Sequence, residues 1–126
     1  MLREAALVAF VGSRDLAAAD AFYRGVLGLE LLESSSFSTA YDAGGTMLRV
    51  ARVAEVRVAG YTVLGWSVGD VVAVVDSLSA SGVSFTRYDG VEQDERGIWI
   101  APGGTRVAWF EDPDANVLSL SQFPSA

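Results

Sequence analysis

The sequence has no cysteine, no histidine and no lysine, and its nine basic residues are all arginine. The missing cysteine excludes disulfides, thiolate nucleophiles and cysteine-type zinc sites. Without histidine the chain cannot form a Ser-His-Asp triad or an imidazole metal site, and without lysine it cannot form a lysine Schiff base. Carboxylates, tyrosines, hydroxyls, backbone groups and arginines are the groups that remain for chemistry and for ligand binding.

Long apolar runs are missing as well. No window reaches the about 18 apolar residues of a membrane-spanning helix, and no signal-peptide pattern opens the chain. The 126 residues are 51% hydrophobic, which is enough for one domain to bury a core without covalent staples. We therefore expect a single domain over residues 1–126 that is soluble and cytoplasmic and has no membrane partner.

Positive charge is scarce, since the formal net charge is −7 at pH 7. A phosphate backbone would be repelled, and no arginine run or basic aromatic stripe offsets the repulsion, so we expect no nucleic-acid partner. The same charge would attract a cationic small molecule, but it would equally keep a protein without such a ligand in solution. Both interpretations of the charge stay open.

The first half of the chain has the pattern of a βαβββ unit. A strand is predicted at Leu7–Val11, and Asp15 is placed to cap a helix whose apolar stripe consists of Leu16, Ala19, Tyr23, Val26 and Leu27. Gly28 supplies the left-handed residue that ends such a helix. Three strands follow, with Gly44-Gly45 as the turn between the last two, at Leu29–Ser34, Phe37–Ala43 and Thr46–Val53.

The second half repeats this pattern. Asp70 is a second helix cap, Gly82 a second helix end, and the apolar stripe between them consists of Val71, Val74, Val75 and Leu78. The predicted strands are Thr62–Val68, Val83–Tyr88, Gly97–Ala101, Thr105–Glu111 and Val117–Leu120. At one offset Val8 aligns with Val63 and Asp15 with Asp70, which indicates an internal repeat. We expect two βαβββ modules, about 5–53 and 61–123, joined by a linker at 52–60.

A tight turn precedes the last strand. Its sequence is Asp112-Pro113-Asp114-Ala115-Asn116, in which Pro113 presets φ and the neighbouring Asp and Asn residues tolerate turn geometry. In the strand that follows, Leu118 and Leu120 alternate with Ser119 and Ser121, which gives the strand two distinct faces. We expect the face that carries Ser119 to look into a cavity.

The paired βαβββ units, the F-Y-x-x-x-L-G-L stretch that begins at Phe22, and the D-P-D-x-N turn together resemble the vicinal oxygen chelate superfamily. This superfamily includes glyoxalase I, extradiol dioxygenases and bleomycin-resistance proteins, and the resemblance covers the chain from about Leu7 to Phe123. It implies an α+β fold in which paired βαβββ modules form a curved mixed sheet around a cavity. It also implies a homodimer, and whether the modules pack within one chain or swap between chains stays open.

One residue of the D-P-D-x-N turn departs from the family, because Ala115 stands where the family usually has glycine. If this position needs a positive φ, alanine costs about 1 kcal/mol there, unless Asn116 takes the strained conformation.

The resemblance also implies where a metal would be held, since metal-using relatives take ligands from the first and last strand of each module. The matching positions in this chain are Val8, Arg49, Val63 and Ser119. Two valines, an arginine and a serine cannot hold a divalent cation, and the arginine would repel it. We therefore expect neither a metal nor another cofactor.

The same faces describe a candidate ligand pocket by alternation and by the resemblance. Its predicted residues are Val8, Phe10, Met47, Arg49, Val63, Val107, Trp109, Ser119 and Ser121. Apolar walls, an indole, hydroxyls and one guanidinium suit a small apolar or aromatic molecule with an anionic or carbonyl group. Arg49 would bind that group, or it would pair with an acid such as Asp42 or Glu111.

Three functions follow from these residues. The first is a metal-independent protein that binds a small molecule. The second is a metal-independent lyase, isomerase or hydrolase with acid–base groups drawn from Tyr88, Asp89, Asp94 and Glu95, although these residues also suit a solvated acidic loop. The third is a metal-dependent glyoxalase or dioxygenase. No catalytic residue is assigned, and the segment 89–104 is either a lid or a surface excursion.

Overall fold

The structure, a computed structural model, describes residues 1–125. The chain divides into two compact units, Met1–Arg57 and Val58–Ala126, and the division falls inside the predicted linker. The prediction that the whole chain is a single domain stays a prediction. Within the described residues no helix has the length and apolar character needed to cross a membrane.

Unit 1 is a βαβββ unit, as predicted. After a 3-10 turn at Leu2–Glu4, its strands and helix are β1 Val8–Ser13, α1 Leu16–Asp20, β2 Glu30–Ser34, β3 Ser38–Ala43 and β4 Thr46–Arg52. The sheet order is β1-β4-β3-β2. β1 pairs with β4 in parallel, and the other pairs are antiparallel. The predicted strands are confirmed, with bounds that move by a residue or two.

The first helix differs from its prediction in its last turns. Asp15 caps it as expected, because its carboxylate accepts hydrogen bonds from the backbone N–H groups of Ala17 and Ala18. From Ala21 to Val26 the helix widens into a π-helix, in which Leu27 N–H donates to Phe22 C=O at 2.9 Å. Gly28 then takes φ 75°, as expected for the helix end. Apolar periodicity does not separate π from α geometry.

Unit 2 has the same topology. Its elements are β5 Leu64–Ser67, α2 Val71–Ala80, β6 Trp99–Ile100, β7 Arg106–Glu111 and β8 Val117–Gln122, in the sheet order β5-β8-β7-β6. β5 pairs with β8 in parallel. Leu64 lies opposite Leu118, just as Ala9 lies opposite Leu48 in unit 1, so the strand register repeats along with the topology. The internal repeat is therefore confirmed.

The strand predicted at Val83–Tyr88 is wrong, because this segment has no regular pairing in the described structure. Thr86 N–H bonds to Trp109 C=O at 2.7 Å, but the neighbouring backbone groups bond to a side chain. The Gln93 amide donates to Thr86 C=O and accepts from Tyr88 N–H, at 3.0 and 2.9 Å. A side-chain amide thus satisfies backbone groups that a neighbouring strand would otherwise satisfy.

The core of each unit lies on the sheet face that carries the helix. In unit 1 the largest fully buried side chains are Tyr23, Tyr41, Leu48 and Val50, and in unit 2 they are Phe110, Leu118, Val71 and Val75. The Tyr41 hydroxyl donates to an Asp20 carboxylate oxygen at 2.8 Å. Burial, and then this hydrogen bond, raise the pKa of Tyr41, so its phenol stays protonated.

The turn before β8 is a buried polar structure. The Asp112 carboxylate accepts hydrogen bonds from the backbone N–H groups of Asp114 and Asn116 and from the Asn116 side-chain amide, at 2.8–3.0 Å. Ala115 adopts φ 66°, so the alanine itself takes the left-handed conformation and Asn116 does not. The position therefore needs a positive φ, which is the condition under which alanine is expected to be strained there.

Replacing this strained alanine should stabilise the protein. Ala115→Gly removes the Cβ that disfavours a positive φ. Relief of this strain outweighs the extra conformational entropy that glycine loses on folding, so we expect the free energy of unfolding to rise by about 0.5–1 kcal/mol. Urea unfolding followed by circular dichroism measures the change. Ala73→Gly on α2 is the control and should lower stability by about 1 kcal/mol. A loss of stability in Ala115→Gly as well would contradict the assignment of strain.

Candidate functional sites on the uncovered sheet faces

The four predicted site residues of unit 1 lie side by side on the sheet face opposite the helix. Val8 is opposite Met47 and Phe10 is opposite Arg49, while Leu48 points into the core on the other face. Val8 is 38% exposed and Phe10 is 63% exposed. The structure thus brings an exposed apolar surface next to a guanidinium, and the role of these residues in ligand binding stays a prediction.

Arg49 is held by three side chains of unit 1. Its Nη2 lies 2.7 Å from Glu33 Oε1, its Nη1 donates to Ser38 Oγ at 2.9 Å, and Nη2 also lies 3.7 Å from Met47 Sδ. Of the two alternatives for Arg49, the structure shows the ion pair, and the acid is Glu33 rather than Asp42 or Glu111. Asp42 instead accepts a hydrogen bond from Gly45 N–H in the turn between β3 and β4.

In unit 2 the predicted residues of β7 and β8 share the face opposite the helix. Val107 is opposite Ser121, and Trp109 is opposite Ser119. Ser119 is only 6% exposed, and it lies beside Gly65, where an added Cβ would come within 3.2 Å of Ser119 Oγ. Gly65 therefore leaves room for the serine hydroxyl. Val63 lies just before β5, and its N–H donates to Val117 C=O.

Three aromatic rings form a cluster in unit 2, which we call the aromatic cluster: Tyr88, Trp99 and Trp109. The two indoles stack with centroids 5.9 Å apart and an interplanar angle of 28°. Tyr88 meets Trp109 edge-on, at 5.3 Å and 88°. Each ring is half-buried, so the cluster offers an apolar surface that is still accessible. The sequence predicted Trp109 as a pocket residue, and that role stays a prediction; no local signal showed that Trp99 would stack on it.

The acidic loop between Tyr88 and Trp99 is tied down by its own hydrogen bonds. Asp94 Oδ1 accepts from the N–H groups of Arg96 and Ile98, both at 2.9 Å. Arg96 in turn binds Asp76 of α2 through both carboxylate oxygens, at 2.8 and 3.1 Å. Asp94 is thereby committed to holding the loop, which favours the structural interpretation of this acid over an acid–base role.

Each unit also has a surface cavity that the sequence did not predict. The one in unit 2 has a volume of about 360 Å³ and lies beside the acidic loop, lined by Glu92, Gln93, Asp94, Ile98, Trp99, Ile100 and Arg106. The one in unit 1, also about 360 Å³, is lined by Arg14, Asp15, Leu16, Ser35, Ser36 and Arg52. Both arise where a loop meets a strand end, and such meetings have no periodic signature in the sequence.

Tyr88 is the titratable residue of the aromatic cluster. Burial raises its pKa, and the negative charge of Glu111 raises it further. The phenol is therefore neutral near pH 7, where it can donate a hydrogen bond but does not act as a base.

The residues at the four positions matched to metal ligands do not suit a metal. Val8 and Val63 offer no donor atom, Arg49 is a cation already paired with Glu33, and Ser119 is a lone hydroxyl. Among residues 1–125 there is also no group of three or more acidic, histidine or cysteine side chains arranged to hold a metal ion.

The duplicated βαβββ topology, with one helix on each four-stranded mixed sheet, defines an α+β protein of the paired-module type. The model of the Glyoxalase/Bleomycin resistance protein/Dioxygenase superfamily matches residues 6–120. The chain belongs to this superfamily, which confirms the family resemblance and the fold class.

Solved structures of this superfamily share the fold at low sequence identity. A bleomycin resistance determinant encoded on the transposon Tn5 superposes with a TM-score of 0.74 at 18% identity, covering 94% of this chain and 98% of that one. A lactoylglutathione lyase from Agrobacterium tumefaciens superposes with a TM-score of 0.68 at 19% identity, covering 94% of this chain and 93% of that one. A glyoxalase/bleomycin resistance protein from Catenulispora acidiphila superposes with a TM-score of 0.69 at 24% identity, covering 94% of this chain and 98% of that one. No curated protein matches the sequence.

The raised pKa of Tyr88 can be tested by titration. Glu111→Gln removes the negative charge but leaves the ring buried, so the pKa of Tyr88 should fall part of the way towards its ordinary value near 10. NMR of ¹³C-labelled tyrosine, assigned with Tyr88→Phe, measures it between pH 8 and 12. Glu92→Gln is the matched control and should leave the Tyr88 pKa in place. An unchanged pKa in Glu111→Gln would contradict the charge effect.

Proposed function

We propose that this protein binds a small apolar or aromatic molecule bearing an anionic or carbonyl group, and that it does so without a metal. The observation that carries the proposal is Arg49, a guanidinium next to the exposed apolar side chains of Phe10 and Val8, on the sheet face opposite the helix of unit 1. Apolar walls with few polar groups are the usual make-up of a small-molecule site.

Arg49 supplies the polar part of this recognition. A guanidinium has five N–H donors in a planar fork, and the contacts with Glu33, Ser38 and Met47 use three of them. The remaining donors are available to a carbonyl or carboxylate oxygen of a ligand. Because the Arg49 side chain is 27% exposed, such an oxygen meets a donor that is partly shielded from water.

Apolar surface next to the polar group supplies the rest of the affinity. In unit 1 Phe10 lies opposite Arg49 and Val8 lies opposite Met47, and both Phe10 and Val8 present exposed apolar surface. In unit 2 the aromatic cluster presents stacked indoles beside the hydroxyls of Ser119 and Ser121. Each face taken by itself favours an aromatic or aliphatic ligand, because burial of apolar surface contributes about 25 cal/mol per Å².

Binding is proposed in preference to catalysis on the basis of the acid–base groups. The fold leaves the choice open, because its solved members include both a resistance determinant and a lyase. In this chain Tyr88 is a neutral phenol, Asp94 holds a loop, Glu95 is an exposed side chain 3.6 Å from Arg96, and Asp89 is exposed. A neutral phenol and carboxylates that are exposed or already hydrogen-bonded favour binding over acid–base catalysis.

The proposal predicts that Arg49 is needed for binding. Benzoate and benzamide are suitable probes, because they share one ring and differ in whether the polar group is anionic or a neutral carbonyl. Arg49→Ala should weaken the tighter of the two by about tenfold or more, as expected for loss of a charged hydrogen bond worth about 1.5–3 kcal/mol. Calorimetry or NMR titration measures the dissociation constant, before and after dialysis against a chelator.

Arg24→Ala is the matched control for this experiment. It removes the same charge from unit 1, but Arg24 pairs with Asp20 on the helical side of the sheet. We expect its affinity to equal that of the wild type. Equal affinity in Arg49→Ala would overturn the role of the guanidinium, and loss of binding after chelation would overturn metal independence.

A further inference from the structure

The position of Glu33 results from an irregularity in β2. Leu31 is opposite Tyr41, but the next pair is Glu33 with Ala40, so Leu32 and Glu33 together face one residue of β3. This is a β-bulge, which inserts one extra residue and re-aims the side chains that follow it. In a regular pairing Leu32 would lie opposite Ala40, and Glu33 would lie on the helical face opposite Thr39.

The bulge places a carboxylate in the same row as the guanidinium. The row across the sheet is Phe10, Arg49, Ala40 and Glu33, and Ala40 beneath the ion pair is fully buried. Glu33 reaches over this small residue to Arg49 at 2.7 Å. Of the two partners the carboxylate is the more accessible, with its side chain 62% exposed against 27% for Arg49.

A ligand that approaches Arg49 therefore meets a donor and an acceptor next to each other. The contact with Arg49 uses Glu33 Oε1, and the carboxylate has a further oxygen with which to accept a hydrogen bond. A ligand carboxylate at this place would lie beside the negative charge of Glu33 and would compete with it for the same guanidinium. A ligand group that offers an acceptor and an N–H donor side by side would satisfy both partners.

We propose that Glu33 is a specificity-determining residue, which makes the Arg49 site select a neutral carboxamide-type group and reject a carboxylate. The inference rests on the proposed function and narrows its ligand class from anionic or carbonyl to a carbonyl with an adjacent N–H donor. The carbonyl oxygen accepts from Arg49, and the N–H donates to Glu33. The net charge of −7 acts in the same direction, since it disfavours anions in general.

Glu33→Gln tests this selection with benzamide and benzoate as probes. Glutamine keeps the size of the side chain and an acceptor oxygen, but it lacks the competing charge. We expect the wild type to bind benzamide more tightly than benzoate. In Glu33→Gln we expect the benzoate affinity to rise about tenfold, which corresponds to about 1.4 kcal/mol, while benzamide binds no more tightly than before. NMR titration of the backbone amides of Phe10, Ala40 and Arg49 locates the binding.

Glu30→Gln is the matched control, because it removes the same charge from the same strand two rows away, opposite Asp42. It should leave the ratio of the two affinities unchanged. Two results would overturn the selection by Glu33 and leave the proposed function standing. The first is a wild type that prefers benzoate; the second is an unchanged ratio of benzamide to benzoate affinity in Glu33→Gln, while both probes still shift the backbone amides of Phe10, Ala40 and Arg49. If neither probe shifts them in the wild type or in Glu33→Gln, both proposals are overturned.

Discussion

In each unit the first strand is hydrogen-bonded in parallel to the last strand, and the remaining pairs of the sheet are antiparallel. This pairing requires the chain to cross over between its ends, and the helix lies in that crossover. Because side chains alternate along a strand, the register of the pair assigns Leu48 and Leu118 to the core and Arg49 and Ser119 to the opposite face. A slip of one residue would bury the guanidinium in the core, so the candidate site and the core depend on the same constraint.

The repeat preserves the backbone of the two units while the chemistry of their uncovered faces differs. Arg49 and Ser119 occupy equivalent register positions, but one is a cation paired with Glu33 and the other a hydroxyl beside Gly65. Ala40, opposite Arg49, is small enough for an ion pair to pass over it, whereas Trp109, opposite Ser119, supports stacked rings. Taken separately, unit 1 presents a paired guanidinium next to exposed apolar side chains, and unit 2 presents aromatic rings next to hydroxyls.

Much of the fold was predictable because its signals are local. The caps at Asp15 and Asp70, the helix end at Gly28 and the alternation of the strands each depend on a few neighbouring residues, and all of them are confirmed. The strain at Ala115 followed from its place in the turn motif. The segment at Val83–Tyr88 was mispredicted because its strand-like composition is overridden by Gln93, whose amide takes the backbone groups that a strand would have paired.

Local patterns were sufficient to predict the repeat, the helix caps and the faces of the regularly paired strands, and the composition rules out histidine, cysteine and lysine at any site of this chain. The tertiary structure alone decided that Arg49 pairs with Glu33, that Trp99 stacks on Trp109, and that the first helix ends in a π-helical turn. These outcomes depend on the β-bulge in β2, on the path of the loop that precedes Trp99, and on the geometry with which the chain leaves the first helix. The bulge and the π-helical turn each insert one extra residue, and the loop path brings together residues that are ten positions apart in sequence; periodicity in the sequence records neither kind of event.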